Sequence, residues 1–244
     1  MTEYESLTAS LDKLAELENY YQWLLEEIRP FFGTRLVEIG AGTGTFTKFL
    51  VAAHLIPNPA AHLAVYEPSG HYYQKLHQKL HANHPGLIQS GRLVTTHGYF
   101  HASSERCDTI VMINVLEHVQ DDLEFIRTAH QSLAPGGTHI VFVPALQWLY
   151  SAFDRAVGHY RRYEKSQLEQ LLRAGGFEVV KAKYMDCMGV LPWYLLNVIG
   201  GFTSINPHLA RLYDTWFVPI TRWMEGREGP RIGKNILMVG RKVV

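Results

Sequence analysis

Leu36-Val37-Glu38-Ile39-Gly40-Ala41-Gly42-Thr43-Gly44-Thr45-Phe46-Thr47 is the stretch that decides the fold of this chain. A short apolar run with the character of a strand enters a glycine-rich turn, and the turn opens a helical pattern over about 44–54. Glycines at alternate positions let the backbone bend sharply and come close to a ligand, because no Cβ stands in the way. The amides at the start of the next helix then point at that ligand and favour an anionic group. A nucleotide-like cofactor meets both conditions. The dinucleotide fingerprint is G-x-G-x-x-G; here Thr45 stands at its third glycine and the spacing is G-x-G-x-G, with Glu38 two positions ahead of Gly40.

Outward from the turn, apolar and polar residues alternate in two different periods. Leu11, Leu14, Leu17, Tyr21, Leu24, Leu25 and Ile28 recur at helical spacing, which predicts a helix over 9–29, closed by Pro30 and Gly33. Strand-like runs follow at 35–39, 62–67, 92–96, 108–114 and 138–144, separated by helical patterns at about 69–82 and 121–133. Strands alternating with helices imply crossover connections and a parallel sheet, hence an α/β fold. Beyond Pro144 a helix over 166–174 is expected to open on the capping box Ser166-Gln167-Leu168-Glu169 and to close at Gly175-Gly176. Two more strands are expected at 177–184 and 235–241.

The chain has 244 residues, enough for one α/β domain with a modest insertion. Lys plus Arg balances Asp plus Glu, so the net charge is zero and a broad nucleic-acid-binding surface is not expected. The two cysteines, Cys107 and Cys187, suggest no disulfide framework and fit a reducing compartment. The acidic N-terminal stretch lacks the basic and apolar regions of a secretory signal, so cytoplasmic location is the expectation.

Three further motifs give the glycine turn its meaning. Glu67 ends the second strand, 27 positions after Gly40, and its two acceptor oxygens suit the two hydroxyls of a ribose; it also suits the N-terminus of the helix that follows. The fourth strand runs into Asn114-Val115-Leu116-Glu117-His118-Val119, and Leu133-Ala134-Pro135-Gly136-Gly137 precedes the fifth. In this order, over about 35–145, the set resembles the class I S-adenosylmethionine (SAM)-dependent methyltransferases, in particular the ubiquinone-biosynthesis-like branch acting on small molecules.

That resemblance implies a doubly wound, Rossmann-like sheet of seven mostly parallel strands, with an antiparallel pair at the edge. It implies SAM as methyl donor and S-adenosylhomocysteine as product. Gly40, Ala41, Gly42 and Gly44, braced by Glu38, would approach the methionine part, and Glu67 with Pro68 the ribose. Asn114, Val115 and Leu116 would line the sulfonium. Where many members carry a Gly-Asp step, this chain has His97-Gly98-Tyr99-Phe100-His101, so adenine would meet Tyr99 or Phe100; Phe100 serves equally as plain core. In similar methyltransferases a G-H-x-R-x-Y segment enters the active-site mouth. His159 is accordingly the first candidate base, and Arg161 or Arg162 would bind an anionic substrate group. His118 is the second candidate base, or a turn-forming residue. No metal is expected: the pair His77/His81 lacks an acidic or Cys partner.

Residues 185–233, between the last two strands, are long for such a connection. From Cys187 to Ala210 there is no Asp, Glu, Lys or Arg, while Trp193, Tyr194, Phe202, Tyr213, Trp216, Phe217 and Trp223 recur. A membrane span needs roughly 20 mainly apolar residues, and Pro192, Asn197, Gly200-Gly201 and Asn206-Pro207 interrupt this one. Three readings stand: a helical cap that supplies an apolar acceptor pocket including Trp193, packing against the sheet or a partner subunit, and peripheral contact with a membrane. The expected function is O-methylation of a small or lipid-like molecule. An NAD(P)-dependent oxidoreductase and a SAM-binding module without catalysis are the alternatives; the oligomeric state stays open.

Overall fold

The computed structural model describes residues 17–102 and 106–243. Helix α1 (Glu18–Ile28) leads into β1 (Arg35–Ile39), the glycine turn and α2 (Thr47–Leu50), which runs on as a π-helical turn through Val51–Leu55. Then come β2 (His62–Glu67), α3 (Gly70–Asn83), α4 (Pro85–Gln89) and β3 (Leu93–His97). The second half holds β4 (Cys107–Ile113), α5 (Asp122–Ser132), β5 (Leu133–Pro144), α6 (Ala152–Ala156), α7 (Lys165–Ala174) and β6 (Phe177–Met185). An insertion follows, with α8 (Val190–Trp193) extended through Tyr194–Ile199, and α9 (Pro207–Leu212) joined to α10 (Val218–Glu225) through Tyr213–Phe217. Strand β7 (Asn235–Lys242) comes last.

The strands form one seven-stranded sheet in the order β3-β2-β1-β4-β5-β7-β6. The first five are parallel to their neighbours, and β7 lies antiparallel to both β5 and β6. The mostly parallel sheet with its late antiparallel pair at one edge is therefore as expected. Strand order reverses between β1 and β4, and in open α/β sheets ligands bind in the crevice at the carboxyl ends beside such a reversal. The glycine turn follows β1 and Asn114 follows β4, so both motifs flank that crevice.

Alternation along the central strands explains why the sheet is covered on both faces. Leu36, Val111, Ile140, Phe142, Leu237 and Val239 pack with α1, α2 and α3. Val37, Ile39, Ile110, Met112, Val141, Val143, Ile236 and Met238 pack with α5 and α7. Successive side chains point to opposite faces, so a strand that is apolar throughout must be buried twice.

Three boundaries differ from expectation. Of the helix expected over 9–29, residues 9–16 lie outside the described residues, and α1 begins at Glu18 without a side-chain cap of its own at Leu17. Its amides are met instead from the insertion: Asn19 N–H and Tyr20 N–H donate to Asp214 Oδ2 and Oδ1 at 3.0 and 2.9 Å. The capping box of α7 is formed by Glu164 and Gln167 rather than Ser166 and Glu169, two residues earlier than expected. Pro135-Gly136-Gly137 is an irregularity within β5 rather than a turn before it. Cys107 pairs with Leu133 but Thr109 with Thr138, so the extra residues bulge out of the ladder. No helix among the described residues is long and apolar enough to cross a membrane.

Candidate active site

The glycine turn is built from both sides. Gly40 N–H and Ala41 N–H donate to Tyr66 O at the end of β2 (2.8 and 3.2 Å), and Gly40, Gly42 and Gly44 all have positive φ. A Cβ on Gly40 would strike Val115 Cγ2 at 2.5 Å, and one on Gly44 would strike Leu76 Cδ1 at 2.9 Å. A Cβ on Gly42 would meet nothing within 4 Å. Gly40 and Gly44 thus let the turn pack against β4 and α3, while Gly42 faces open space where a ligand can approach.

Two buried carboxyls brace this turn. Glu38 Oε2 accepts from Thr47 Oγ1 at 2.6 Å; burial, with Glu67 nearby, pushes its pKa up to about 7. Glu67 spans two loops, accepting from Gly42 N–H (2.7 Å) on one oxygen and Ser69 N–H (2.8 Å) on the other. Burial raises its pKa above the ordinary value. Each oxygen keeps a second acceptor position, so Glu67 can still take two hydroxyl donors. Pro68, after β2, and Tyr99, after β3, are exposed, whereas Phe100 is buried in the core edge-on to Tyr66 (5.3 Å between ring centres).

Beside Asn114, whose neighbour Val115 packs on Gly40, lies a cavity of about 190 Å³. Tyr20 and Tyr21 of α1 form one wall, Asn114, Glu117 and His118 another, and His159 and Arg162 a third. Trp193, Ile205, Tyr213 and Val218 of the insertion close it, with Lys234 and Asn235 at its rim. Asn114 adopts a left-handed conformation (φ 54°) as the chain leaves β4, held by its N–H to Phe142 O (2.8 Å); short polar side chains tolerate that region best. Leu116 is buried, and its carbonyl accepts from Tyr163 Oη (3.2 Å).

The polar wall of the cavity is organised by Asp154. His159 Nδ1 lies 2.9 Å from Asp154 Oδ1, which also accepts from Arg162 Nε at 2.9 Å. Ser151 N–H and Oγ–H donate to Oδ2 at 2.9 and 2.8 Å, forming the capping box of α6. Burial alone would raise the Asp154 pKa, but His159, Arg162 and Ser151 together hold it below the ordinary carboxylate range. With Nδ1 turned to a carboxylate, His159 presents Nε2 towards Glu117 Oε1, 3.8 Å away. Glu117 is fully buried and burial pushes its pKa up to about 8. His118 lines the cavity with its surface still exposed to solvent; partial desolvation of the ring, with His159 in edge contact at 4.6 Å, pushes its pKa down to about 4.

Not every expected residue reaches the cavity. Arg161 does not, because its guanidinium is satisfied by Asp122 Oδ2 and Gln120 O, both at 2.8 Å. Arg162 does line the cavity, paired with Asp154 and lying 4.7 Å from the Trp193 ring centre. Trp193 is fixed by its Nε1–H to Leu149 O (3.1 Å). His77 is taken up by Tyr73 and by Thr95 Oγ1 (3.1 Å). One group among the described residues has the compactness of a metal site: ligand atoms of Glu117, His118 and His159 lie within 4.8 Å of one another. Lys234 escaped notice in the sequence. It sits at the end of a long insertion, and only the fold brings it to Asp186 Oδ2 (2.8 Å) and to the rings of Tyr20, Trp193 and Tyr213.

A family model described as a methyltransferase domain matches residues 15–182. This chain belongs to the class I SAM-dependent methyltransferases. The methyltransferase is 32% identical over 116 residues to the ubiquinone biosynthesis O-methyltransferase of Ruegeria pomeroyi, a match covering 46% of this chain and 42% of that protein. It is 26% identical over 171 residues to the Cereibacter sphaeroides protein of the same name, covering 64% and 65%. The matches thus span less than two thirds of those relatives. A Haloferax volcanii methyltransferase solved with the Trm112 methyltransferase activator has the same fold, with a TM-score of 0.65, 12% identity, and coverage of 100% and 99%. The cofactor of the methyltransferase is SAM, and its glycine turn, the open face of Gly42 and the spare acceptor positions of Glu67 fit that ligand. The oxidoreductase alternative finds no support.

Proposed function

We propose that this methyltransferase transfers a methyl group from SAM to an oxygen of a small, largely apolar acceptor held in the cavity beneath the insertion. The observation that carries the reading is the Asp154–His159 pair, which opens on a cavity walled by Tyr20, Tyr21, Trp193 and Tyr213 and lined by Asn114, whose neighbour Val115 packs on Gly40. The name shared by the curated relatives supports oxygen as the receiving atom. Gly40 to Gly44 would hold the amino-acid end of the cofactor and Glu67 its ribose, with Asn114 and Val115 beside the sulfonium. Tyr99 offers an exposed ring for adenine.

When bound, SAM supplies an activated methyl group, so the protein's task is alignment and exclusion of water. Asp154 holds the proton on His159 Nδ1, which leaves the Nε2 lone pair free to take the proton of an acceptor hydroxyl. A neutral Glu117 does not compete as a base and can donate a hydrogen bond to the acceptor oxygen. Neutral His118 adds no charge against a positively charged cofactor. The insertion over 185–233 acts as the cap, the described residues form one domain, and the two free thiols, Cys107 and Cys187, suit the cytoplasm. The balanced charge supports a small molecule rather than a nucleic acid as the acceptor.

The test is methyl transfer from labelled SAM to a panel of phenols, catechols and aliphatic alcohols. His159→Ala is expected to lower kcat by about 100-fold or more while leaving S-adenosylhomocysteine affinity in place. Unchanged turnover in that variant would remove the base. A second reading rests on the compact Glu117–His118–His159 group, which has the donors to hold a divalent cation. Dialysis against a chelator separates the two. Activity that disappears and returns with added Mg²⁺, Mn²⁺ or Zn²⁺ assigns these residues to a metal, and activity indifferent to chelation leaves His159 as the base.

A further inference from the structure

The insertion wears its amphipathic helices inside out. Along the run from α9 to α10, the large exposed side chains are Leu209, Leu212, Trp216, Ile220 and Trp223, three or four residues apart, with Trp216 64% and Trp223 83% exposed. The inward positions of the same run carry Asp214, Thr221 and Glu225, all buried, alongside Val218. The other helix repeats the pattern: Leu191, Leu195 and Ile199 are exposed at successive turns, while the polar Asn197 is buried and bonds to Phe202 O (3.0 Å). A helix on a water-facing surface places its apolar stripe inward. These place it outward, and contiguous exposed apolar patches of this kind mark interaction surfaces.

The charges are sorted as well. Asp214 is spent on the α1 amides and Glu225 on Cys187 N–H (2.7 Å). At the surface the insertion shows Arg211, Arg227 and Arg231 against its lone exposed acid Glu228, while Arg222 is paired with Glu26 of α1. The result is an apolar, tryptophan-bearing face with an arginine rim, the combination that seats helices at the boundary of an anionic bilayer. A twofold contact with a second copy would crowd the same arginines around one patch.

We propose that this face of the insertion docks the methyltransferase on an anionic lipid surface, with the helices lying in the interface. The docking does not depend on the acceptor. Its consequence does rest on the proposed function: Ile205, Tyr213 and Val218 of the same insertion line the cavity, so an apolar acceptor dissolved in the bilayer is held next to the site.

Sedimentation of the full chain with phosphatidylcholine vesicles, with and without phosphatidylglycerol, tests the proposal. The protein is expected to pellet with the anionic vesicles, and less as salt is raised. The exposed double substitution Trp216→Ser/Trp223→Ser should weaken that partition by about tenfold or more, and Arg211→Glu/Arg227→Glu should erase the preference for phosphatidylglycerol. Calorimetry with S-adenosylhomocysteine on the same preparations reports on the fold and the cofactor site. Lipid binding that is absent, indifferent to lipid charge, or unmoved by the tryptophan variants while that calorimetry is normal overturns the docking and leaves the function standing. Light scattering that shows a dimer dissolved by the tryptophan variants, without vesicle binding, assigns the face to a second copy and also overturns it.

Discussion

Glu117 shows how much of the site's chemistry is set by burial. Neither of its carboxyl oxygens has a hydrogen-bond partner among the described residues, and its pKa stands at about 8 against an ordinary 4.5. Between those values the folded chain keeps a proton that the unfolded chain has released, so this group makes stability fall as pH rises. His118 works in the opposite sense at lower pH, since its depressed pKa makes stability rise with pH up to the ordinary histidine range. Comparison with a variant isolates Glu117. Glu117→Gln and the parent are expected to melt together near about pH 5, with the variant gaining steadily up to about pH 8. A gap that stays constant across that range would mean that Glu117 is ionised in the fold. The sequence made His118 and His159 visible as candidates because imidazole is a familiar base. Glu117 stood immediately before His118 in the same motif, but only the structure shows a carboxyl without partners. Asp154 lies only five residues before His159, and its hold on that ring follows from the turn that α6 makes.

At the level of elements, the sheet was legible because strand and helix write different periods into the chain, and every expected strand was found within a few residues of its place. The insertion was legible only in composition. Helices whose polar side faces inward give the same periodicity as ordinary ones, so the sequence could not tell which side would meet solvent. Asp214 explains what fixes the insertion to the rest of the fold. Besides the two amides of α1, its backbone carbonyl accepts from Asn19 Nδ2 at 3.1 Å, so a residue 195 positions away supplies the cap that Leu17 cannot. Asp214→Ala leaves those amides without an acceptor beside the positive end of the helix dipole and is expected to cost about 1–3 kcal/mol. Chemical denaturation measures the loss. Hydrogen exchange should accelerate in both α1 and 207–225, whereas exchange that quickens in only one of them would show that Asp214 does not couple the two.

For the molecule as a whole, the crevice at the strand reversal couples cofactor binding to folding. β1, β2 and β4 each contribute their carboxyl end to it, and the glycine turn is held through backbone bonds to Tyr66 and a side-chain bond to Glu67. A ligand that recognises this arrangement has no counterpart to bind in the unfolded chain, so it stabilises the fold by mass action. S-adenosylhomocysteine at a hundred times its dissociation constant is expected to add about 2.7 kcal/mol. For a chain of this length that corresponds to a rise in Tm of roughly 5–10 °C. NADH at the same concentration should leave Tm unchanged, because Thr45 occupies the position of the third glycine that a dinucleotide pyrophosphate turn uses for close packing. A scan in which NADH raises Tm and S-adenosylhomocysteine does not would reverse the reading of the G-x-G-x-G turn, and with it the assignment of Glu67 to the ribose of SAM.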